Sequence, residues 1–173
     1  QNVSHDDAAA VIFGGLASLS FLRDRAKIQK GDRVMVNGAA GALGTNAVQL
    51  ARHFGATVTT VTRTETVGEA GPYDIVFDTV GNLSPSDASR LLALNGSLIL
   101  AAAGLGEMLT MDKRIITGIA TENVEDIRLL LSLIERGELQ PVVDSVYPLE
   151  KIVEAYQRAE SRQKRGTIII HPY

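Results

Sequence analysis

The sequence contains no cysteine, which excludes disulfides and every metal site built on thiolates. Its three histidines, His5, His53 and His171, are too scattered to form a ligand spacing. No apolar run reaches the ~18 residues of a membrane span, and no signal peptide is visible. A net charge of −3 gives no electrostatic reason to expect nucleic-acid binding. A cytoplasmic protein is therefore the default expectation.

The composition is that of a soluble globular domain. Hydrophobic residues make up 45% of the 173 residues, and a chain of this size buries about 70% of its unfolded surface. The length predicts one domain over residues 1–173. Because Gln1 is not an initiator methionine, we expect a further segment upstream.

The most informative stretch lies between residues 33 and 63. Residues 33–37 predict a short buried strand, and residues 38–44 form a turn of small residues. Residues 45–54 repeat apolar positions at helical spacing, and the β-branched residues at 57–62 predict a second strand. Strand, glycine turn, helix and strand within about 30 residues indicate a βαβ unit. We therefore predict an α/β fold, a Rossmann-like doubly wound parallel sheet with helices on both faces.

The glycine turn has the chemistry of a pyrophosphate site. Small residues let a ligand approach the backbone, and the first amides of the following helix carry the positive end of its dipole. The dinucleotide fingerprint G-x-G-x-x-G falls on Ala39, Gly41 and Gly44, so its first glycine is alanine here. The alternative is a tight strand-to-helix turn that holds no ligand. We predict cofactor binding by Gly38, Ala39, Ala40, Gly41, Ala42, Leu43 and Gly44.

The end of the second strand bears on which nucleotide binds. An acidic residue there would bind the ribose 2′-hydroxyl of NAD, whereas a nearby arginine accommodates the 2′-phosphate of NADP. The sequence continues Thr62-Arg63-Thr64, and Glu65 comes only three residues beyond the strand. We therefore predict NADP(H), with Thr62 and Arg63 in the site. The alternative for Arg63 is an ordinary solvated loop charge.

The other elements follow from the same patterns. A helix capped by Ser4 is expected to run to Phe13 and to break at Gly14-Gly15. Further helices are predicted at 16–26, 84–94, 122–136 and 149–160, and strands at 74–78, 97–102, 114–118, 142–146 and 167–170, the last of them buried. Asn95-Gly96 predicts a turn. The basic cluster at 162–165 is also predicted to form a turn, exposed to solvent.

The interval between the second and third strands is unusually short. A doubly wound sheet normally places a helix, a strand and another helix there, and residues 63–73 cannot supply them. We therefore expect a fold without the second helix and third strand. Either this half of the sheet is reduced or a segment is absent from the sequence, and we favour the second explanation.

Four blocks in order resemble the cofactor-binding half of the medium-chain dehydrogenase/reductase family, in its zinc-independent quinone-oxidoreductase-like branch. They are KGDRVMVNGAAGALGTNAVQLARHFGA, YDIVFDTVGN, LLALNGSLIL and IERGELQPVVDSVYPLEKIVEAYQRAESRQKRGTIII. The resemblance implies hydride transfer from NADPH to an enone, quinone or aldehyde. It also implies that the turn holds the pyrophosphate, that Arg63 meets the 2′-phosphate, and that the ribose and nicotinamide are flanked by Thr79, Val80, Ala102 and Ala103.

The resemblance carries further expectations about domains and partners. The family places a GroES-like catalytic domain ahead of residue 1, and this domain is missing here, so no catalytic residue is assigned. Zinc-dependent relatives carry a metal ligand near Phe13-Gly14-Gly15, where this chain has no ligating side chain. The family forms dimers by pairing the strand that matches residues 114–118, so a homodimer is expected.

Two rival interpretations remain open. Tyr147 and Lys151 satisfy the Y-x-x-x-K pattern of short-chain dehydrogenases, but Pro148 disfavours a helical Tyr147, so the match is expected to be accidental. The second rival is a nucleotide-binding or dimerisation module that has no chemistry of its own.

Overall fold

The computed structural model describes residues 3–62, 71–102 and 112–172. Its main sheet contains five parallel strands in the order β2-β1-β3-β4-β5. The strands are β1 (Arg33–Asn37), β2 (Thr57–Val61), β3 (Tyr73–Asp78), β4 (Leu92–Leu100) and β5 (Ile115–Ile116). The parallel α/β fold predicted from the sequence is therefore confirmed.

Helices cover both faces of this sheet. The α-helices are α1 (His5–Ser18), α2 (Ala42–His53), α3 (Pro85–Leu91), α4 (Val124–Glu135) and α5 (Ile152–Glu160). A π-helical segment, Leu19–Arg25, continues α1, and a 3-10 turn, Leu149–Lys151, leads into α5. Outside the main sheet, β6 (Val143–Pro148) and β7 (Thr167–His171) form a parallel pair.

The core follows the alternation of side chains along the strands. On one face, Val34 and Val36 of β1 pack with α2 and with the segment that contains Phe21 and Leu22. On the opposite face, Met35 of β1 packs with α3 through Ala88. Successive residues of a strand point to opposite faces, so both faces of these strands are covered, as a doubly wound sheet requires.

The predicted break at Gly14-Gly15 is wrong, because α1 runs through both glycines. Both residues are buried, and each allows a neighbour to come close. A Cβ on Gly14 would lie 2.5 Å from the backbone oxygen of Ala42, and one on Gly15 would lie 2.8 Å from the Leu130 side chain. The glycines therefore serve helix packing, against α2 and α4 respectively, and do not end the helix.

Several predicted boundaries also need correction. Helix α2 begins at Ala42, three residues before the predicted start, because Gly41 takes the N-cap position. The helix predicted at 84–94 ends at Leu91, and the expected turn at Asn95-Gly96 lies inside β4. Tertiary pairing overrides the local turn signal here, since Leu92 pairs with Tyr73 across an irregularity in the β3–β4 register.

The C-terminal pair of strands differs from the sequence expectation. In β7 only Ile169 is buried, so the prediction of a buried final strand is wrong. Tyr147 lies in β6 and Lys151 in the 3-10 turn, so the two side chains do not share a helical face. The structure therefore confirms that the Y-x-x-x-K match is accidental.

At the β2 side of the sheet, the described residues stop at Thr62 and resume at Gly71. Within the described ranges β2 is an edge strand, in agreement with a sheet that lacks the third strand. The prediction for Arg63 falls outside the described residues, as does the one for Ala103. Among the helices of the described ranges, none is long and apolar enough to cross a membrane.

The two glycines of α1 give a matched pair of variants. Gly14→Ala and Gly15→Ala should gain the same helix propensity, ~1 kcal/mol. Gly14→Ala meets a backbone oxygen that cannot move freely, so we expect a net loss of ~1–3 kcal/mol in the free energy of unfolding. Gly15→Ala meets the end of a flexible leucine and should cost less. Urea denaturation measures both, and equal losses would contradict this account.

Candidate functional site

The glycine turn lies where β1 ends and α2 begins. The amides of Gly38 and Ala39 both donate to the Val61 oxygen at the end of β2, at 2.9 and 3.2 Å. Gly38 has a φ of +81°, a conformation that a residue with a Cβ rarely adopts. The chain then enters α2, so the free amides of the first helical turn face the region above the carboxyl ends of the strands.

Gly44 is required by the protein's own packing. A Cβ on this residue would lie 2.2 Å from the Gly38 oxygen and 2.8 Å from the Ala39 Cα. Such distances are far below van der Waals contact, so any larger residue would push α2 away from β1. This glycine would be needed whether or not the turn binds a ligand.

Gly41 meets no such steric limit among the described residues. Its φ of −77° and ψ of 171° are open to any residue. In the part of the chain that the structure describes, a Cβ there would meet the Gly38 oxygen alone, at an ordinary 3.5 Å. The residue also lines a cleft. Packing among the described residues therefore does not require a glycine at this position, while the N-cap of α2 and the bridge to Gly166 both suit one.

The cleft beside Gly41, which we call the first cleft, has a volume of about 510 Å³. It collects most of the predicted site residues and adds three from the C-terminal region. Its lining consists of Gly38, Ala40, Gly41, Ala42, Leu43, Thr79, Val80, Ala159, Arg162 and Lys164. Thr79 is fixed there because its hydroxyl donates to the Asn37 oxygen at 2.8 Å.

A second cleft, of about 590 Å³, lies on the other side of the turn. It is lined by Ala39, Ala40, Thr45, Val48, Gln49, Arg52, Thr60, Thr62, Val142, Arg162, Gln163, Lys164 and Arg165. The predicted residues Ala39 and Thr62 lie here. Ala102 lines neither cleft among the described residues and packs beside Gly81.

The basic segment 162–165, which we call the basic turn, was predicted to be only a solvated turn. The structure places it across the glycine turn, where the Gly166 amide donates to the Ala40 oxygen at 2.8 Å. Arg162 and Lys164 line both clefts. Burial lowers the pKa of the Lys164 ammonium. The cluster itself was visible in the sequence, but only tertiary contact shows which site it joins.

An ion pair holds the basic turn in place. Arg158 donates to both oxygens of Asp144, at 2.9 and 2.7 Å, and the Arg165 amide donates to the same carboxylate at 2.8 Å. The Asp144 side chain is only 6% exposed. The hydrogen bond from Arg158 holds the pKa of Asp144 well below its usual range. The turn is therefore attached to α5 and β6 rather than free in solvent.

The charge on the clefts has a single sign. Arg52, Arg162, Lys164 and Arg165 line them, and no acidic residue does so among the residues that the structure describes. Arg52, Arg162 and Arg165 form no ion pair with any described residue. The chain as a whole has a net charge of −3, so this local excess of cations favours an anionic ligand.

Comparison with known proteins gives the family. A sequence profile described as zinc-binding dehydrogenase matches residues 43–170. The chain belongs to this family. It is thus a medium-chain dehydrogenase/reductase domain, and the resemblance seen in the sequence is confirmed.

The relatives of this dehydrogenase domain are longer proteins. Acryloyl-coenzyme A reductase of Sulfurisphaera tokodaii is 27% identical over 87% of this chain and 54% of the relative. The 2-methylene-furan-3-one reductase of Solanum lycopersicum is 26% identical over 99% of this chain and 48% of the relative. The chain spans about half the length of these curated relatives.

A solved structure shows the same fold. The putative alcohol dehydrogenase of Sinorhizobium meliloti 1021 superimposes with a TM-score of 0.83 at 24% identity, over 100% of this chain and 57% of that one. The likeness supports the fold alone at this level of identity.

The family name implies zinc, but the residues in hand do not fit a zinc site. The chain has no cysteine. In the described ranges no three histidine or acidic residues come together to hold a metal ion. Three or four such ligands are what zinc requires in proteins. No chemical step is therefore assigned to a metal, and zinc independence stays a prediction.

Gly41 and Gly44 separate the two explanations for the glycine turn. Overpacking a core ordinarily costs ~1–3 kcal/mol. We expect Gly44→Ala to lower the free energy of unfolding by more than this range, because its Cβ would meet backbone atoms. Gly41→Ala should cost only ~0.5–1 kcal/mol, for the poorer N-cap, yet reduce nucleotide affinity at least tenfold. Urea denaturation and calorimetric titration measure the two effects. A Gly41→Ala variant with wild-type affinity would show that nothing approaches this glycine.

Proposed function

We propose that this chain is the NADP(H)-binding domain of an oxidoreductase that transfers hydride from NADPH to a quinone, enone or aldehyde. The observation that carries the proposal is Gly41, which lines the first cleft at the N-cap of α2 and which no steric contact among the described residues requires to be a glycine. A pyrophosphate above this glycine would meet the amides at the start of α2. The rest of the assignment follows from the residues that line the two clefts on either side of Gly41.

The two clefts suit the two halves of a dinucleotide. The second cleft carries Arg52 and Arg165 in addition to the shared cations, so its charge suits an adenosine that bears a 2′-phosphate. The first cleft is closed by Thr79 and Val80 at the end of β3, and it is the place left for the nicotinamide and its ribose. We propose the same environment for Ala102 and Ala103.

The preference for NADP(H) over NAD(H) rests on charge. Arg63 follows the end of β2 in the sequence, and we propose that it meets the 2′-phosphate. Arg162 and Lys164 lie between the two clefts, where they would neutralise the pyrophosphate. Bidentate contact with phosphate is the geometry that an arginine provides best.

The substrate class is inferred from chemistry and from the relatives. When bound, the nicotinamide cofactor supplies a hydride, which the electron-poor β-carbon of a C=C bond conjugated to a carbonyl group can accept. Acryloyl and 2-methylene-furan-3-one groups both contain such a carbon, and reductases of these two compounds are among the relatives. We propose that a GroES-like domain supplies the substrate contacts, so no catalytic residue is assigned here. A cytoplasmic location stays a prediction from the sequence.

Titration with NADPH and NADH tests the proposed function. We expect NADPH to bind more tightly by at least tenfold, or ~1.4 kcal/mol. Arg63→Ala should remove this preference by weakening NADPH alone, because only NADPH carries the 2′-phosphate. The double variant Arg162→Ala/Lys164→Ala should weaken both nucleotides, because both contain the pyrophosphate. Calorimetry or quenching of nicotinamide fluorescence gives the affinities.

The matched control for these variants is Arg90→Ala. Arg90 is an exposed cation of α3, on the opposite face of the sheet from α2, so its removal should change neither affinity. If neither nucleotide binds at millimolar concentration, the cofactor proposal is wrong. The glycine turn would then serve packing only, and a module without chemistry would be the better description.

We also propose a homodimer formed through the strand near residues 114–118. Strand β5 pairs with β4 along one side, and in the described part of the chain no strand pairs with its other side. Arg25 holds the segment that follows, donating to the carbonyl oxygens of Thr117 and Ile119. The Ile119 side chain is 85% exposed beside this edge. A free edge with an exposed apolar residue favours pairing with a second copy.

A charge at this edge should prevent dimerisation. We expect the wild-type chain to sediment as a dimer and Ile119→Lys as a monomer, because a lysine at a strand edge opposes pairing. Val153→Lys is the control, since Val153 is 65% exposed in α5, a helix that packs on β6 and β7 and not on the main sheet in the described contacts. Sedimentation velocity at several concentrations makes the comparison. A wild-type monomer, or equal loss of dimer in both variants, would contradict the proposed interface.

A further inference from the structure

A buried carboxylate lies behind the wall of the first cleft. Asp78 is the last residue of β3, and its side chain has no exposed surface. The next two residues, Thr79 and Val80, form the cleft wall. A carboxylate in such a place is costly unless its oxygens accept hydrogen bonds, so its partners show what it holds in position.

Asp78 accepts four hydrogen bonds, three of them from the loop that follows it. Its Oδ1 accepts from the amides of Val80 and Gly81, both at 3.0 Å, and its Oδ2 accepts from the Leu83 amide at 3.1 Å. The fourth donor is the Asn37 side chain, at 2.9 Å from Oδ1. Three of these bonds are to Oδ1 and one is to Oδ2, so both carboxylate oxygens accept hydrogen bonds. The loop is therefore held in place by its hydrogen bonds to one buried carboxylate.

Asn37 connects this network to the glycine turn. Its side-chain amide also donates to Asn82 Oδ1, so it joins both ends of the loop. Its backbone oxygen accepts the Thr79 amide at 3.1 Å and the Thr79 hydroxyl at 2.8 Å. Asn37 is the residue immediately before Gly38. The end of β1 and the loop after β3 are therefore held together as one unit.

The loop after β3 packs closely against Gly38 of the glycine turn. A Cβ on Gly38 would lie 2.3 Å from Val80 Cγ2 and 2.5 Å from Thr79 Oγ1. A shift of the loop by a fraction of an ångström would therefore change the shape of the first cleft directly. The second cleft is lined by other elements and includes neither Thr79 nor Val80.

We propose that Asp78 is a positioning residue that sets the wall of the first cleft for the nicotinamide half of the cofactor. The proposal rests on the proposed function, because it takes the ligand to be a dinucleotide. Asp78 does not touch the ligand, since it is fully buried and its oxygens are occupied. It acts by fixing Thr79 and Val80 against Gly38.

The test compares a whole dinucleotide with its adenosine half. NADPH occupies both clefts, whereas adenosine 2′,5′-bisphosphate would occupy only the second cleft. In Asp78→Asn one acceptor oxygen is replaced by an NH2 group, which is itself a donor and faces backbone N–H donors. The loop must therefore move. We expect this variant to bind NADPH about tenfold more weakly and adenosine 2′,5′-bisphosphate as tightly as the wild type does. A residue that merely stabilises the fold would not change this ratio.

Two further variants distinguish the positioning role from a general effect on folding. Asn82→Ala removes an exposed side chain from the outer end of the network and should give a smaller, roughly threefold loss for NADPH alone. Asp74→Asn is the matched control. Asp74 is an aspartate of the same strand that accepts the Arg33 amide at 2.8 Å, at the end of the sheet remote from the clefts. It should leave both affinities unchanged.

Calorimetry at a temperature well below each unfolding transition gives the affinities, and circular dichroism verifies the fold. If Asp78→Asn and Asn82→Ala bind NADPH like the wild type, or weaken both ligands equally, the positioning role is wrong while the proposed function stands. If the wild type binds neither ligand, the proposed function fails first and the positioning role fails with it. If Asp78→Asn does not fold, Asn82→Ala alone decides, by the same ratio.

Discussion

The contact between Gly44 and the Gly38 oxygen determines how helix α2 meets the sheet. At this point the helix comes so close to the end of β1 that even a methyl group would not fit. The position of α2 in turn fixes Gly41 at the mouth of the first cleft and Ala40 where its oxygen receives the Gly166 amide. One packing constraint thus aligns the helix dipole, both clefts and the C-terminal segment. A site for a phosphate and a close helix–strand contact are two results of the same run of small residues.

Two buried aspartates organise what surrounds this contact, and their partners differ in kind. Asp144 pairs with Arg158 and accepts the Arg165 amide, so it holds a positively charged turn against the site. Asp78 accepts mainly backbone amides and holds a neutral loop on the opposite side. In each case a carboxylate with little or no exposed surface is compensated by several hydrogen bonds, which makes the local geometry rigid. The flanks of the glycine turn are therefore held by electrostatics as much as by apolar packing.

Much of this arrangement could be predicted from the sequence, because the signals are local. The apolar pattern of residues 33–37 and the β-branched residues from 57 gave the first two strands almost to the residue. The glycine turn was placed correctly, and most of its predicted residues line one of the two clefts. The predictions that were wrong depended on distant contacts. The sequence predicts a helix break at Gly14-Gly15, but both residues are places where α2 and α4 pack against α1.

The sequence by itself determined the fold class and the glycine turn, since both follow from spacing along a continuous stretch. It also determined the family, through the resemblance of four blocks in order. It also displayed the basic cluster at 162–165 without showing a use for it. Only the tertiary structure decided that this cluster crosses the glycine turn, and that Gly41 faces open space while Gly44 faces backbone. The physical reason is distance along the chain. Residues 41 and 166 meet because β6 and β7 pack on α1, which itself packs on α2, and no local pattern encodes such a contact.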